Sequence, residues 1–166
     1  MRALVVALAV ALVASSAAAA PPRTIKLGWL ERTSPAYGFP AMTFKVADVV
    51  VTGKAWAVHG SVTNRSKQTI GIVAPDTRTY PTQYGFGLAR ANTSCPRNAR
   101  CGTDEVTQTY AKPALPKQLA PGQTWKGVFG GPGKLPRQRI INVTFGFFVV
   151  SQTKHFSWNT TNSFRL

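Results

Sequence analysis

Acidic residues are scarce in this chain. Glu31, Asp48, Asp76, Asp104 and Glu105 stand against 20 lysines and arginines in 166 residues, a formal charge of +15, and every charged residue after Glu105 is cationic. So few carboxylates leave little material for acid–base catalysis, which needs a titratable group held against a partner. Asp104 and Glu105 are adjacent, so on a strand they would point to opposite faces. Histidine is scarcer still. His59 and His155 have no carboxylate or cysteine close by in the sequence and fall short of a zinc or copper ligand set. Ser61 and Thr63 share a strand face with His59, but no G-x-S-x-G elbow accompanies them. GGPGK, Gly130 to Lys134, is followed by Leu135 and Pro136 rather than by Ser or Thr and a helix, so it is not a Walker-type phosphate loop. No cofactor and no metal are expected.

Long apolar runs and helical periodicity are also missing. Past the first residues no segment is apolar for long enough to span a bilayer, and none sustains a 3.6-residue period. The opening, MRALVVALAVALVASSAAAAPP, has one basic residue, an apolar centre shorter than the ~20 residues of a spanning helix, and small residues before Pro21. That is the pattern of a cleavable secretory leader. The expected organisation is a signal peptide over 1–20, an extended N-terminal segment over 21–43 with a short strand at Thr24–Leu30, and one domain over 44–166. The mature chain is then secreted or held in the cell envelope, with no transmembrane segment.

What the chain does have is alternation with a period of two. In FKVADVVV, Phe44, Val46 and Val50 share a face that Asp48 interrupts; TGK then turns into AWAVHGSVTN, where Trp56, Val58, Gly60 and Val62 share a face. Two such runs around a glycine turn predict a hairpin. TIGIV (Thr69 to Val73), the aromatic stretch with Tyr84, Phe86 and Leu88, VTQTY (Val106 to Tyr110) and WKGVF (Trp125 to Phe129) read as further strands. In IINVTFGFFVV the odd positions Ile141, Val143, Phe145, Phe147 and Val149 are all apolar, and a last strand near His155–Thr160 aligns Phe156 with Trp158. Short strands separated by Gly/Pro turns predict an all-β fold, a single antiparallel sandwich of about seven to nine strands. Trp56 and Trp158 fall in apolar runs and are expected in the core, whereas Trp29 and Tyr37 are freer to lie at the surface.

Two motifs carry a resemblance. Val58-x-Gly60-x-Val62-x-Asn64-x-Ser66 precedes apolar Ile70 and Ile72, and Leu119-Ala120-Pro121-Gly122 leads into an aromatic strand. Together they resemble the small exported immunoglobulin-like domains of bacteria of the FxLYD type and its relatives. Tyr84-Gly85-Phe86-Gly87-Leu88 stands where an F-x-L-Y-D-like strand belongs. The resemblance implies an immunoglobulin-like β-sandwich that acts in the envelope or as an interaction module. It supplies no catalytic residues.

The charge imbalance attracts polyanions in general. An exported module contacting an anionic envelope polymer or an acidic protein is therefore the leading expectation, with nucleic acid ranked below both. The densest basic segment is Lys134, Arg137 and Arg139. A second lies in RANTSCPRNARCG, where Cys95 and Cys101 bracket Arg97 and Arg100 beside Arg90. Two cysteines in an exported chain favour a disulfide, and the spacing is not that of a C-x-x-C redox site. The alternatives are a protease inhibitor that presents the Cys95–Cys101 loop and, second, a weak hydrolase built on His59. Closing so short a loop contributes only about 2 kcal/mol in the chain-entropy model. Circular dichroism in reductant should therefore show the β fold intact; global unfolding on reduction would make the loop structurally essential.

Overall fold

The computed structural model describes residues 21–73, 85–90, 104–135, 140–152 and 154–166. Among these, strands β1 (Arg23–Arg32), β2 (Met42–Val51), β3 (Ala55–Asn64), β4 (Ile70–Ile72), β5 (Gly87–Arg90) and β6 (Asp104–Thr107) come first. β7 (Tyr110–Lys112), β8 (Gln118–Leu119), β9 (Thr124–Pro132), β10 (Ile141–Ser151) and β11 (Lys154–Asn159) follow. One short 3-10 turn, Pro35–Tyr37, lies between β1 and β2. The strands form two antiparallel sheets, β1-β2-β3-β9-β7 and β6-β5-β10-β4-β8, with β11 added beside β10. The fold is an all-β sandwich, as the alternation predicts, with more strands than expected because several are only two or three residues long.

The β2–β3 hairpin forms as the sequence suggests. Thr52 Oγ1 accepts from Lys54 N and Ala55 N, closing the turn. The stretch read as a lead-in contributes more than a short strand: β1 pairs with β2 from Arg23 to Lys26 and again from Trp29 to Arg32, with a register shift between. VTQTY divides. β6 edges the second sheet and β7 the first, and the crossing is held by bonds from Gln108 N to Phe86 O and from Thr109 N to Gly130 O. GGPGK is only partly a loop, because β9 runs on through Pro132.

Two β-bulges set which residues face the core. In β2 the register slips between Val46 and Asp48, so Met42, Phe44 and Val46 point inward, and after the slip Val49, not Val50, takes the next buried position. A one-residue insertion reverses every face beyond it. Asp48 is thereby carried to the outer face. Gly60, opposite the bulge, has no room for a side chain: a Cβ there would lie 2.8 Å from the Lys45 carbonyl oxygen. In β10 the slip lies between Phe145 and Phe148, so Ile141, Val143 and Phe145 are followed into the core by Phe148. Strict alternation had assigned that place to Phe147, whose side chain is outside the described part.

The core between the sheets is aromatic. Phe86 has ring centroids of Trp125, Phe129 and Phe145 within 5.2–5.5 Å, and Phe44 has Phe145 at 5.1 Å and Trp158 stacked at 5.8 Å. Such contacts add about 0.5–1.5 kcal/mol per pair to area burial. Tyr37 is 81% exposed, as expected. Trp29 is not a surface residue; it is half-buried against Phe164, 6.3 Å away. The two sequence motifs meet: Asn64, fully buried, donates to Leu119 O, and Gly122 N donates to Asn64 O. Gly122 has φ +79° after Pro121, the conformation of a type II turn.

Glu31 on β1 ties the first sheet to the chain's last turn. Its Oε2 accepts from Trp158 Nε1 and Thr161 N, and its Oε1 from Thr161 Oγ1, Asn162 N and Asn162 Nδ2, all at 3.0–3.1 Å. Burial pushes the Glu31 carboxyl up, but the hydrogen bonds from Asn162, Thr161 and Trp158 outweigh it and hold the carboxyl below its usual value of 4.5. Because the folded-state value is depressed, its stabilising contribution is present above pH 4.5 and is lost as pH falls below it. Glu31→Gln keeps one acceptor and turns an amide N–H₂ toward these donors, so urea denaturation at pH 7 should show a loss of about 2–3 kcal/mol. The variant should also lose less stability than the parent between neutral and acid pH.

Candidate functional site

Residues opposite one another in antiparallel strands project to the same side, so the register of the first sheet reads out its outer surface row by row. One row is Leu30, Lys45, Ser61 and Lys126. The next is Lys26, Asp48, His59, Val128 and Lys112. In the first, Lys45 and Lys126 flank Ser61 two strand spacings apart, about 10 Å at the backbone. Around them lies an open depression of about 530 Å³, bordered by Lys45, Ala47, His59, Ser61, Lys126 and Val128, with Gly60 and Gly127 beneath. Ala47 at the bulge contributes only a methyl group to its border.

Asp48 is the only acid in these rows, and it is already engaged. Lys26 Nζ lies 3.0 Å from Oδ2 and His59 Nδ1 2.5 Å from Oδ1. Burial raises the Asp48 carboxyl, yet the hydrogen bonds from His59 and Lys26, with their charges, more than offset it, and the carboxyl sits below its usual 3.8. With Nδ1 turned to Asp48, Nε2 is the His59 nitrogen left for a ligand. Among the described residues Lys45 and Lys126 have no carboxylate partner. The face therefore offers two ammonium groups beside a hydroxyl, hydrogen-bond donors suited to an oxyanion.

The Asp48–His59 pair is a finding that sequence proximity does not reveal. His59 does have a carboxylate, brought across from β2 by the bulge. Ser61 lies two residues further along the same face, so the residue types of an acyl-transfer triad share one surface. The triad itself is not assembled: among the described residues no hydrogen bond joins Ser61 to His59. Ser61 also sits in mid-strand with β2 on one side and β9 on the other, so the neighbouring backbone N–H groups serve the sheet rather than an oxyanion hole.

The basic residues singled out from the sequence are placed differently. Lys134 follows β9 and is exposed beside a shallow depression that also includes Arg23 and Leu166. Arg90 belongs to β5, pairing with Ile141 and Asp104, and its side chain is outside the described part. Cys95, Arg97, Arg100, Cys101, Arg137 and Arg139 lie outside the described residues. Lys26, Lys45, Lys112 and Lys126 were not singled out. Alternation puts Lys45 and Lys126 on the polar face of their strands, but only the register makes them neighbours. The chain matches no family model, no curated protein and no solved structure.

The depressed Asp48 carboxyl gives a direct check. An NMR titration of its side chain should show a midpoint below 3.8 that moves upward in His59→Ala. A midpoint unchanged by that substitution would show that His59 does not hold the carboxylate.

Proposed function

We propose that this protein is an exported, non-catalytic interaction module that binds an anionic envelope polymer or an acidic protein through the outer face of its first sheet. The observation that carries this reading is the row Lys45–Ser61–Lys126, next to the row that includes Lys26 and Lys112, with Asp48 the one carboxylate among them and already paired. The formal charge of +15 adds a long-range field of the same sign. The leader-like opening supports secretion or retention in the envelope, where such polymers are met. A two-sheet sandwich is compatible with the immunoglobulin-like resemblance, and strand faces of that architecture present side chains on a rigid frame.

Residues 21–166 should be retained on an immobilised sulfated polysaccharide at low salt and elute as ionic strength rises, because exposed charge contacts are screened beyond about 10 Å at 0.1 M. Lys45→Gln/Lys126→Gln should elute at clearly lower salt than Lys117→Gln/Arg165→Gln, which removes the same charge elsewhere. Equal elution of the two double variants would remove the sheet face from the reading. Absence of retention would remove polyanion binding altogether.

A further inference from the structure

A second depression, about 570 Å³, lies where the β1–β2 loop, the β3–β4 turn and the β10–β11 hairpin come together. Its apolar surface includes Phe39, Pro40 and Val150, and its charged groups are Arg65, Lys67 and Lys154, each exposed. No acidic residue lines it, and among the described residues none of these three cations has a carboxylate partner.

Both walls are held in place from beneath. Asn64, fully buried, donates to Gln68 O at 2.7 Å and accepts from Ser66 N at 2.9 Å and Ser66 Oγ at 2.6 Å, fixing the turn that carries Arg65 and Lys67. Thr33 Oγ1 donates to Pro40 O and accepts from Met42 N, fixing the end of the opposite loop. Arg65 N donates to Ala41 O at 2.8 Å and joins the two. Phe39 is packed 5.6 Å from Phe156 and 6.1 Å from Trp158, so its ring cannot collapse into the groove. A rigid apolar floor under converging loops, with unneutralised cations at the rim, has the make-up of a preformed small-ligand site.

We propose that this groove is a subsite for one acidic sugar of an anionic polysaccharide. The C–H face of the sugar ring rests on Phe39, Pro40 and Val150, and its carboxylate or sulfate is met by Arg65, Lys67 and Lys154. The proposal rests on the polyanion reading above and deepens it, by naming the ligand class and a second contact. Charge complementarity requires an anion, and the apolar floor requires a face that is not charged; an acidic pyranose has both. Single-stranded nucleic acid is favoured by successive stacking platforms. Only one aromatic ring lines the groove, and that ring is half-buried against its neighbours.

The test is calorimetric titration of residues 21–166 with a galacturonate hexamer, a neutral galactose hexamer and a thymidylate hexamer at low salt. The galacturonate hexamer should bind, and the other two should bind about tenfold more weakly or less. Arg65→Gln/Lys67→Gln/Lys154→Gln, three exposed positions, should lose about tenfold or more, the sum of modest exposed charge contacts. Phe39→Leu should weaken binding as well, with the thermal midpoint measured in parallel to show that the fold is kept. Lys117→Gln/Arg165→Gln, which removes charge away from both clusters, should stay within about threefold of the parent. Galacturonate affinity unchanged in the groove triple variant overturns the subsite, as does failure to bind the galacturonate hexamer by protein that is still retained on sulfated polysaccharide. Equal or tighter binding of thymidylate overturns it in favour of nucleic acid. Failure in both formats overturns the subsite and the polyanion reading together.

Discussion

One extra residue in β2 decides what the first sheet's outer surface can do. Without the bulge at Ala47, the alternation that buries Phe44 and Val46 would also send Asp48 into the aromatic core. A lone carboxylate there would carry a desolvation cost of several kcal/mol. With the bulge, Val49 takes the core position and Asp48 emerges opposite His59, within reach of Lys26. The backbone irregularity is matched across the pair by Gly60, whose missing side chain admits the Lys45 carbonyl. Core packing and surface electrostatics are thus two results of one register shift, and neither can be altered without the other.

The same economy governs the described carboxylates. Glu31 is spent on five donors, Trp158 Nε1 of β11 and four from Thr161 and Asn162, and Asp48 on Lys26 and His59. Both acids therefore work inside the molecule, one as a tether between the sheets and one as a clamp on a strand face. Among the described side chains, what remains for solvent is cationic, with no further acidic side chain to neutralise it. In a chain with balanced charge, surface lysines lose part of their field to neighbouring acids. Here Lys45, Lys126, Arg65, Lys67 and Lys154 keep theirs.

The fold was legible from the sequence where alternation is unbroken, and less so where it is not. β3, with Trp56, Val58, Gly60 and Val62 on one face, and the turn at Pro121-Gly122 follow from period two and turn chemistry alone. The first half of β10 does as well. Its second half and the middle of β2 do not, because a bulge moves one residue without leaving a compositional mark: Asp48 announces a conflict with strict alternation, but not its solution. The split of VTQTY between two sheets is hidden for a related reason. Edge strands of three or four residues are specified by the partners they meet, not by their own pattern. The candidate site was the least legible part. Runs of arginine and lysine adjacent in sequence drew attention to Arg97, Arg100, Arg137 and Arg139, whereas the clusters described here join residues 16, 65 or more than 80 positions apart.

Weak contacts on a stiff frame make physical sense for a polymer ligand. An exposed lysine–anion contact is worth about 1 kcal/mol or less, and ordering a long lysine side chain offsets part of that. No single residue of either cluster could hold a ligand alone. A repeating polyanion changes the accounting, because each contact made raises the effective concentration of the next charged unit at a neighbouring cation. The arrangement then needs fixed spacing more than strong individual bonds. Fixed spacing is what the sheet face and the groove share: one takes it from backbone pairing across β2, β3 and β9, the other from Asn64 and Thr33 locking two loops. β3 contributes to both, carrying His59 and Ser61 along its length and ending in the buried Asn64 that supports Arg65 and Lys67. A substitution that loosens the end of β3 would therefore weaken both clusters at once, although it removes no charge from either.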